Sequence, residues 1–134
     1  MPGTLVITTL SDGTNSTSST NCIQGSAKAW VNFNGTGTVA IRASYNVSSI
    51  TDNGTGDYTV NFTNAFSDAN YCGVAISSIS NSGPTFATPI VATKSVGGNA
   101  IVAPTTTAFR LTTQQNGGSA GAGDCEYIFL SFFR

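Results

Sequence analysis

Residues 27–62 alternate apolar and polar side chains almost without a break, as AKAWVNFN, then TVAIRASY, then YTVNF. Period-two alternation marks a strand with one face on a core and the other on solvent. In the first run Ala27, Ala29, Val31 and Phe33 are expected inside, with Lys28, Trp30, Asn32 and Asn34 outside. The second places Val39, Ile41, Ala43 and Tyr45 inside and Arg42 outside, and the third turns Tyr58, Val60 and Phe62 inward. NGTG at 34–37 and DNGTGD at 52–57 separate the runs, because Asn and Gly accept positive φ cheaply. Together they predict a three-stranded meander.

The rest of the chain repeats the theme less cleanly. TLVITTL at 4–10 reads as a first strand, and SDGTNSTSSTN after it as a polar arm or connector without periodicity. YCGVAISSI at 71–79 is a strand with two fairly apolar faces. Residues 85–93 and 100–103 are weaker strands around Gly97 and Gly98, and 105–113 alternates with Phe109 and Leu111 opposite Arg110. Residues 114–123 read as a mobile, glycine-rich loop, and 125–133 as the closing strand. No ten-residue window has the pattern of an amphipathic helix. The prediction is an all-β chain, an antiparallel β-sandwich or jelly roll. Residues 1–21 form an N-terminal strand and attachment arm, and 22–134 form the β domain.

Composition narrows the function. Only 8% of the residues are charged, five basic against six acidic, far below the usual quarter or so. Five scattered cations make no basic stripe, which excludes nucleic acid as a partner. No apolar run approaches the roughly 20 residues that would span a bilayer, so membrane insertion is not expected. MPGTLVITTL lacks a cationic start and a long apolar stretch, so no secretory signal is read there. Cys22, Cys72 and Cys125 share no metal-ligand spacing and are expected to be buried free thiols in a reducing compartment. The N-x-S/T sites at Asn15, Asn34, Asn46, Asn53 and Asn61 then carry no glycan.

Candidate chemistry is sparse. The chain has no histidine, so Ser-His and Cys-His nucleophile pairs and imidazole metal ligands are excluded. Two carboxylate pairs, Asp52 with Asp57 and Asp124 with Glu126, could in principle cleave a glycosidic bond. The more economical reading is that they cap turns and solvate a loop. DNGTGD is too poor in carboxylates for a calcium loop. No catalytic residue, metal or cofactor is expected, and the chain is read as a non-enzyme. Trp30, on the polar side of its strand, is a candidate for surface or receptor contact, stacking on a sugar or anchoring an interface. The alternative is that another sheet or chain covers that face.

The closing strand poses its own question. In CEYIFLSFF, Tyr127, Phe129 and Phe133 point one way, and Ile128, Leu130 and Phe132 the other. One core covers only one of these faces. Ile128, Leu130 and Phe132 are therefore expected to form the seam of an oligomer, unless a second layer of the same chain, such as residues 90–103, covers them.

AKAWVNFNGTGTVAIR followed by NVSSITDNGTGDYTVNF resembles a module that recurs in tail fibres and other virion-surface proteins of bacteriophages. The resemblance covers about residues 25–71. It implies a homotrimeric structural protein on the particle surface, of fibre or host-attachment type, assembled in the host bacterial cytoplasm and located in the virion. Partners would be other virion proteins of capsid or tail, with a host surface glycan as a further candidate. The module begins only about 25 residues from the first methionine, and no long stem repeats are present. Capsid decoration or a head fibre stabilising the phage head is thus the alternative role, and a free-standing carbohydrate-binding module, with Trp30, Tyr45 or Tyr58 as stacking platforms, a more distant one.

Overall fold

A computed structural model describes residues 3–78, 86–88, 102–116 and 121–134. The chain opens with β1 (Thr9–Ser11), β2 (Ser16–Ser18) and α1 (Ser19–Gly25). Four longer strands follow: β3 (Ala27–Asn34), β4 (Ala40–Tyr45), β5 (Val47–Gly54) and β6 (Asp57–Phe62). The remainder gives β7 (Cys72–Ser77), β8 (Phe86–Thr88), β9 (Ala108–Thr112), β10 (Gln114–Asn116), β11 (Gly121–Ala122) and β12 (Ile128–Phe133). Among the described residues the chain is all-β apart from one short helix, and every pairing is antiparallel.

Two sheets carry the core. One runs β4-β3-β12-β7 and the other β5-β6-β9. Their apolar faces meet edge-to-face, with ring centroids 5.3 Å apart for Phe33 and Tyr58, 5.1 Å for Phe62 and Phe132, and 5.3 Å for Phe109 and Phe132. Ala29, Val31, Phe33, Tyr58, Val60, Phe62, Phe109 and Leu111 are all buried there, on the faces that alternation assigns them. Each large side chain so buried contributes about 1.5–3 kcal/mol.

The expected meander is instead four strands divided between the two sheets. Asn46 makes the break. It adopts the left-handed region at φ 55°, which Asn tolerates better than most residues. Its Nδ2 donates to the Lys28 and Asn64 carbonyls at 3.1 and 3.2 Å, and its Oδ1 accepts from the Asn64 N–H at 2.8 Å. The corner sends residues 47–54 to the other sheet. Alternation could not place it, since VSSITDNG has only two large apolar residues.

A second correction concerns β4. Its register against β3 shifts between Asn32 and Phe33, which oppose Ala43 and Ile41. The bulge leaves Arg42 as the extra residue, and beyond it every side chain changes face. Ile41 still packs on the core, but Ala43 and Tyr45 lie outside.

The closing strand is reversed in the same sense. Ile128, Leu130 and Phe132 pair with Phe33, Val31 and Ala29 and are buried in the chain's own core. They therefore cannot form an oligomer seam. Phe62 of β6 and Phe109 of β9 pack on Phe132 from the facing sheet, whereas the alternative cover at residues 90–103 lies almost wholly outside the described residues. Tyr127 and Phe129 are the exposed set.

The arm is a β1–β2 hairpin followed by α1. Asp12 closes the turn, its Oδ1 accepting from Thr14 and Asn15 N–H at 2.9 and 2.7 Å. Ser18 caps α1 by accepting from the Asn21 N–H at 3.1 Å. The helix buries none of its residues, and seven residues are too few to show a periodic face. The boundary expected after residue 21 falls within it. Of the strand expected at 4–10, only Thr9 and Leu10 lie in β1, residues 4–7 belonging to no strand, and the expected loop at 114–123 contributes β10 and β11.

Candidate functional site: an uncharged aromatic sheet face

The outer face of the β4-β3-β12-β7 sheet is open. Tyr45 sits opposite Trp30, Trp30 opposite Ser131 and Ser131 opposite Val74. One row along, Ala43, Asn32, Phe129 and Ile76 follow in the same order. Trp30 is 39% exposed, Tyr45 58%, Val74 58%, Ile76 62% and Phe129 40%, so nothing in the described chain covers this face. At its margin Tyr127 stacks on Phe129 with centroids 6.2 Å apart and planes 12° from parallel. The Arg42 guanidinium lies 4.1 Å above the Tyr127 ring, a cation–π contact. The same group donates to the Glu126 carbonyl at 2.6 Å and pairs with its carboxylate at 3.9 Å. That pair places charge beside the Tyr127 ring, and Lys28 lies two residues from Trp30 on β3.

Trp30 thus sits where alternation put it. Tyr45 joins it because of the β4 bulge, and Tyr58 does not, being fully buried. The residues that sequence reasoning missed here are Val74, Ile76, Tyr127 and Phe129. The two apolar faces of residues 71–79 were the available signal.

The carboxylates are occupied elsewhere. Asp57 is buried against Arg110, which donates to it twice, at 2.9 and 2.8 Å. Asp124 Oδ1 accepts from the Gly56 N–H and the Tyr58 hydroxyl, each at 2.7 Å. Burial first, and then that carboxylate, push the Tyr58 pKa far up. Asp52 accepts from the Gly54 N–H at 2.9 Å inside its turn, and Asp68 pairs with Arg134, which holds its pKa low. Asp52, Asp57 and Asp124 therefore fasten turns and strands, and the Glu126 carboxylate pairs with Arg42. Among the described residues no group of three or more Cys, Asp or Glu could hold a metal ion. Cys125 is buried as expected, but Cys22 and Cys72 are exposed. No helix is long and apolar enough to cross a membrane among the described residues.

Compared with family models, curated proteins and solved structures, the chain matches none.

Proposed function

We propose that this chain is a structural module of a bacteriophage particle surface, of fibre or host-attachment type, whose two larger sheets close as a β-sandwich and which works as a homotrimer without catalysis. One observation carries the reading. The segment that resembles virion-surface modules, residues 25–71, spans β3 to β6, which found both core-bearing sheets, so the resemblance lies in the scaffold and not in an appended loop. The open, nearly uncharged face of β4-β3-β12-β7 supports assembly, since a contiguous apolar patch marks an interaction surface. Capsid decoration remains the alternative role within the same reading. Cryo-EM of particles carrying the protein tests both: density at the tail supports the fibre role, density on capsid three-fold positions supports decoration, and its absence from purified particles refutes the reading.

A second reading has one observation in its favour. Trp30 and Tyr45 are cross-strand neighbours on the exposed face, and adjacent rings of this kind stack on sugars. A glycan array with wild type and Trp30→Ala decides it, and binding that is unchanged by the substitution rules the platform out.

A further inference from the structure

We infer that residues 3–7 of one copy add as a fifth strand to the edge of β7 in a second copy, so that copies join head to tail. The inference rests on the assembly reading above and names the contact that makes it.

Two unsatisfied surfaces meet this description. Before the β1–β2 hairpin, residues 3–7 belong to no strand or helix, and Leu5 and Val6 are 82% and 86% exposed. Two large aliphatic side chains in succession on a polar, Thr/Ser-rich arm have no partner among the described residues. The second surface is β7, which pairs only with β12 among the described residues. The Ser78 N–H donates to the Tyr127 carbonyl at 2.8 Å. In an antiparallel ladder this parity turns the amides of Cys72, Val74 and Ile76 toward β12 and those of Gly73, Ala75 and Ser77 toward the open edge.

Edge strands are normally protected by charges, proline or bulges. The other edges of the two core-bearing sheets follow that rule. β4 carries Arg42 and a bulge, β5 carries Asp52 and two register shifts, and β9 carries Arg110. β7 alone, CGVAIS, has no charge, no proline and an unbroken register. An added strand would set its alternate aliphatic residues beside Val74 and Ile76 and extend the same apolar face.

Area argues for the strand as well. Four strands about 4.8 Å apart and six residues of about 3.4 Å rise give the open face roughly 400 Å² in plan. A standard interface covers about 800 Å² per partner, so a copy seated on the face alone falls short. The donated arm supplies further contact and satisfies the edge amides. Because arm and edge are different surfaces, the contact is heterologous, and such contacts close into rings when the rotation permits.

The test uses the full chain and two variants, one lacking residues 1–7 and one carrying Val74→Lys, which charges the edge and leaves the arm intact. Light scattering should give an oligomer for the wild type and folded monomers for both variants. Hydrogen exchange at Gly73, Ala75 and Ser77 should quicken at least tenfold in the variants relative to wild type. Variants that remain oligomeric with unchanged exchange overturn the strand addition while leaving a virion role intact. A monomeric wild type whose edge amides are nevertheless protected overturns it too, by showing the arm folded on its own chain. Absence from particles is a separate result, and it refutes the virion role alone.

Discussion

Arg110 grips Asp57 with two parallel hydrogen bonds across the β6–β9 pair, Nε to Oδ1 at 2.9 Å and Nη2 to Oδ2 at 2.8 Å. Asp57 is 4% exposed, and the hydrogen bond to it raises the Arg110 pKa against the opposing effect of desolvation. Removing Arg110 takes the bidentate cation from a buried carboxylate. Arg110→Ala is expected to cost about 3 kcal/mol, and Arg110→Lys less, because lysine keeps the charge but not the fork. Urea unfolding measures both. A loss below about 1 kcal/mol for the alanine variant would place the pair among solvated surface bridges.

Alkaline pH should unfold this protein through two tyrosines. Burial pushes Tyr71 up to about 12, and burial with the Asp124 carboxylate pushes Tyr58 up as well. A raised folded pKa means that the stabilisation is complete below the ordinary value of 10.0. It drains as pH climbs from there toward the folded value, because only the unfolded chain ionises. For the fully buried Tyr58 the slope is about 1.4 kcal/mol per pH unit. Tyrosinate absorbance and circular dichroism, followed together, should show two of the four tyrosines ionising only as the fold is lost. Four that titrate before unfolding would contradict the buried environments.

Gly35 is required by space. A Cβ there would lie 2.6 Å from the Tyr58 hydroxyl, 2.9 Å from the Cys125 carbonyl and 2.9 Å from Ile128 Cδ1. The Tyr58 oxygen is fastened to Asp124 at 2.7 Å, and the Cys125 carbonyl accepts from the Gly35 N–H at 2.9 Å, so neither can retreat freely. Gly35→Ala is expected to cost about 1–3 kcal/mol. Gly37 has φ 62° and open space around it, so Gly37→Asn should cost much less. Thermal melts of the two variants give the order, and equal losses would show that the loop can shift away from β6 and β12.

How far alternation could be read depended on contrast between the two faces of a strand. β3 and β6 set large apolar residues against polar ones, and their inner faces follow from that pattern. β4 was legible only up to its bulge, since one inserted residue at Arg42 inverts Ala43 and Tyr45 without any mark in composition. The corner at Asn46 depends on one residue's left-handed backbone and three side-chain hydrogen bonds, which periodicity does not encode. In β12 both alternating sets are apolar, so the pattern could not say which one faces the core. The partners decided it, because β12 aligns Ile128, Leu130 and Phe132 with the inward residues of β3. Of the open face, Trp30 was legible, whereas Tyr127 and Phe129 stayed hidden behind the same ambiguity.

The phase of β12 yields the sharpest mutational contrast. Leu130 lies opposite Val31 and Ala75 and is 2% exposed, and Phe129, its chain neighbour, lies opposite Asn32 and Ile76 and is 40% exposed. Leu130→Asp buries a carboxylate among aliphatic and aromatic side chains with no cation near the inner face of β12 among the described residues. Burying an unpaired charge costs several kcal/mol, which is comparable to the whole stability of a domain of this size. That variant should therefore be unfolded at 25 °C. Leu130→Ala should leave a folded but weakened domain, down by about 2–5 kcal/mol. Phe129→Asp places its charge in solvent, beside a Tyr127 ring already attended by Arg42 at 4.1 Å. It should keep a cooperative transition within about 1 kcal/mol of wild type. Circular dichroism melts of the three proteins settle the phase. A folded Leu130→Asp together with an unfolded Phe129→Asp would mean that the two faces of this strand are exchanged, and with them the surface open to a partner.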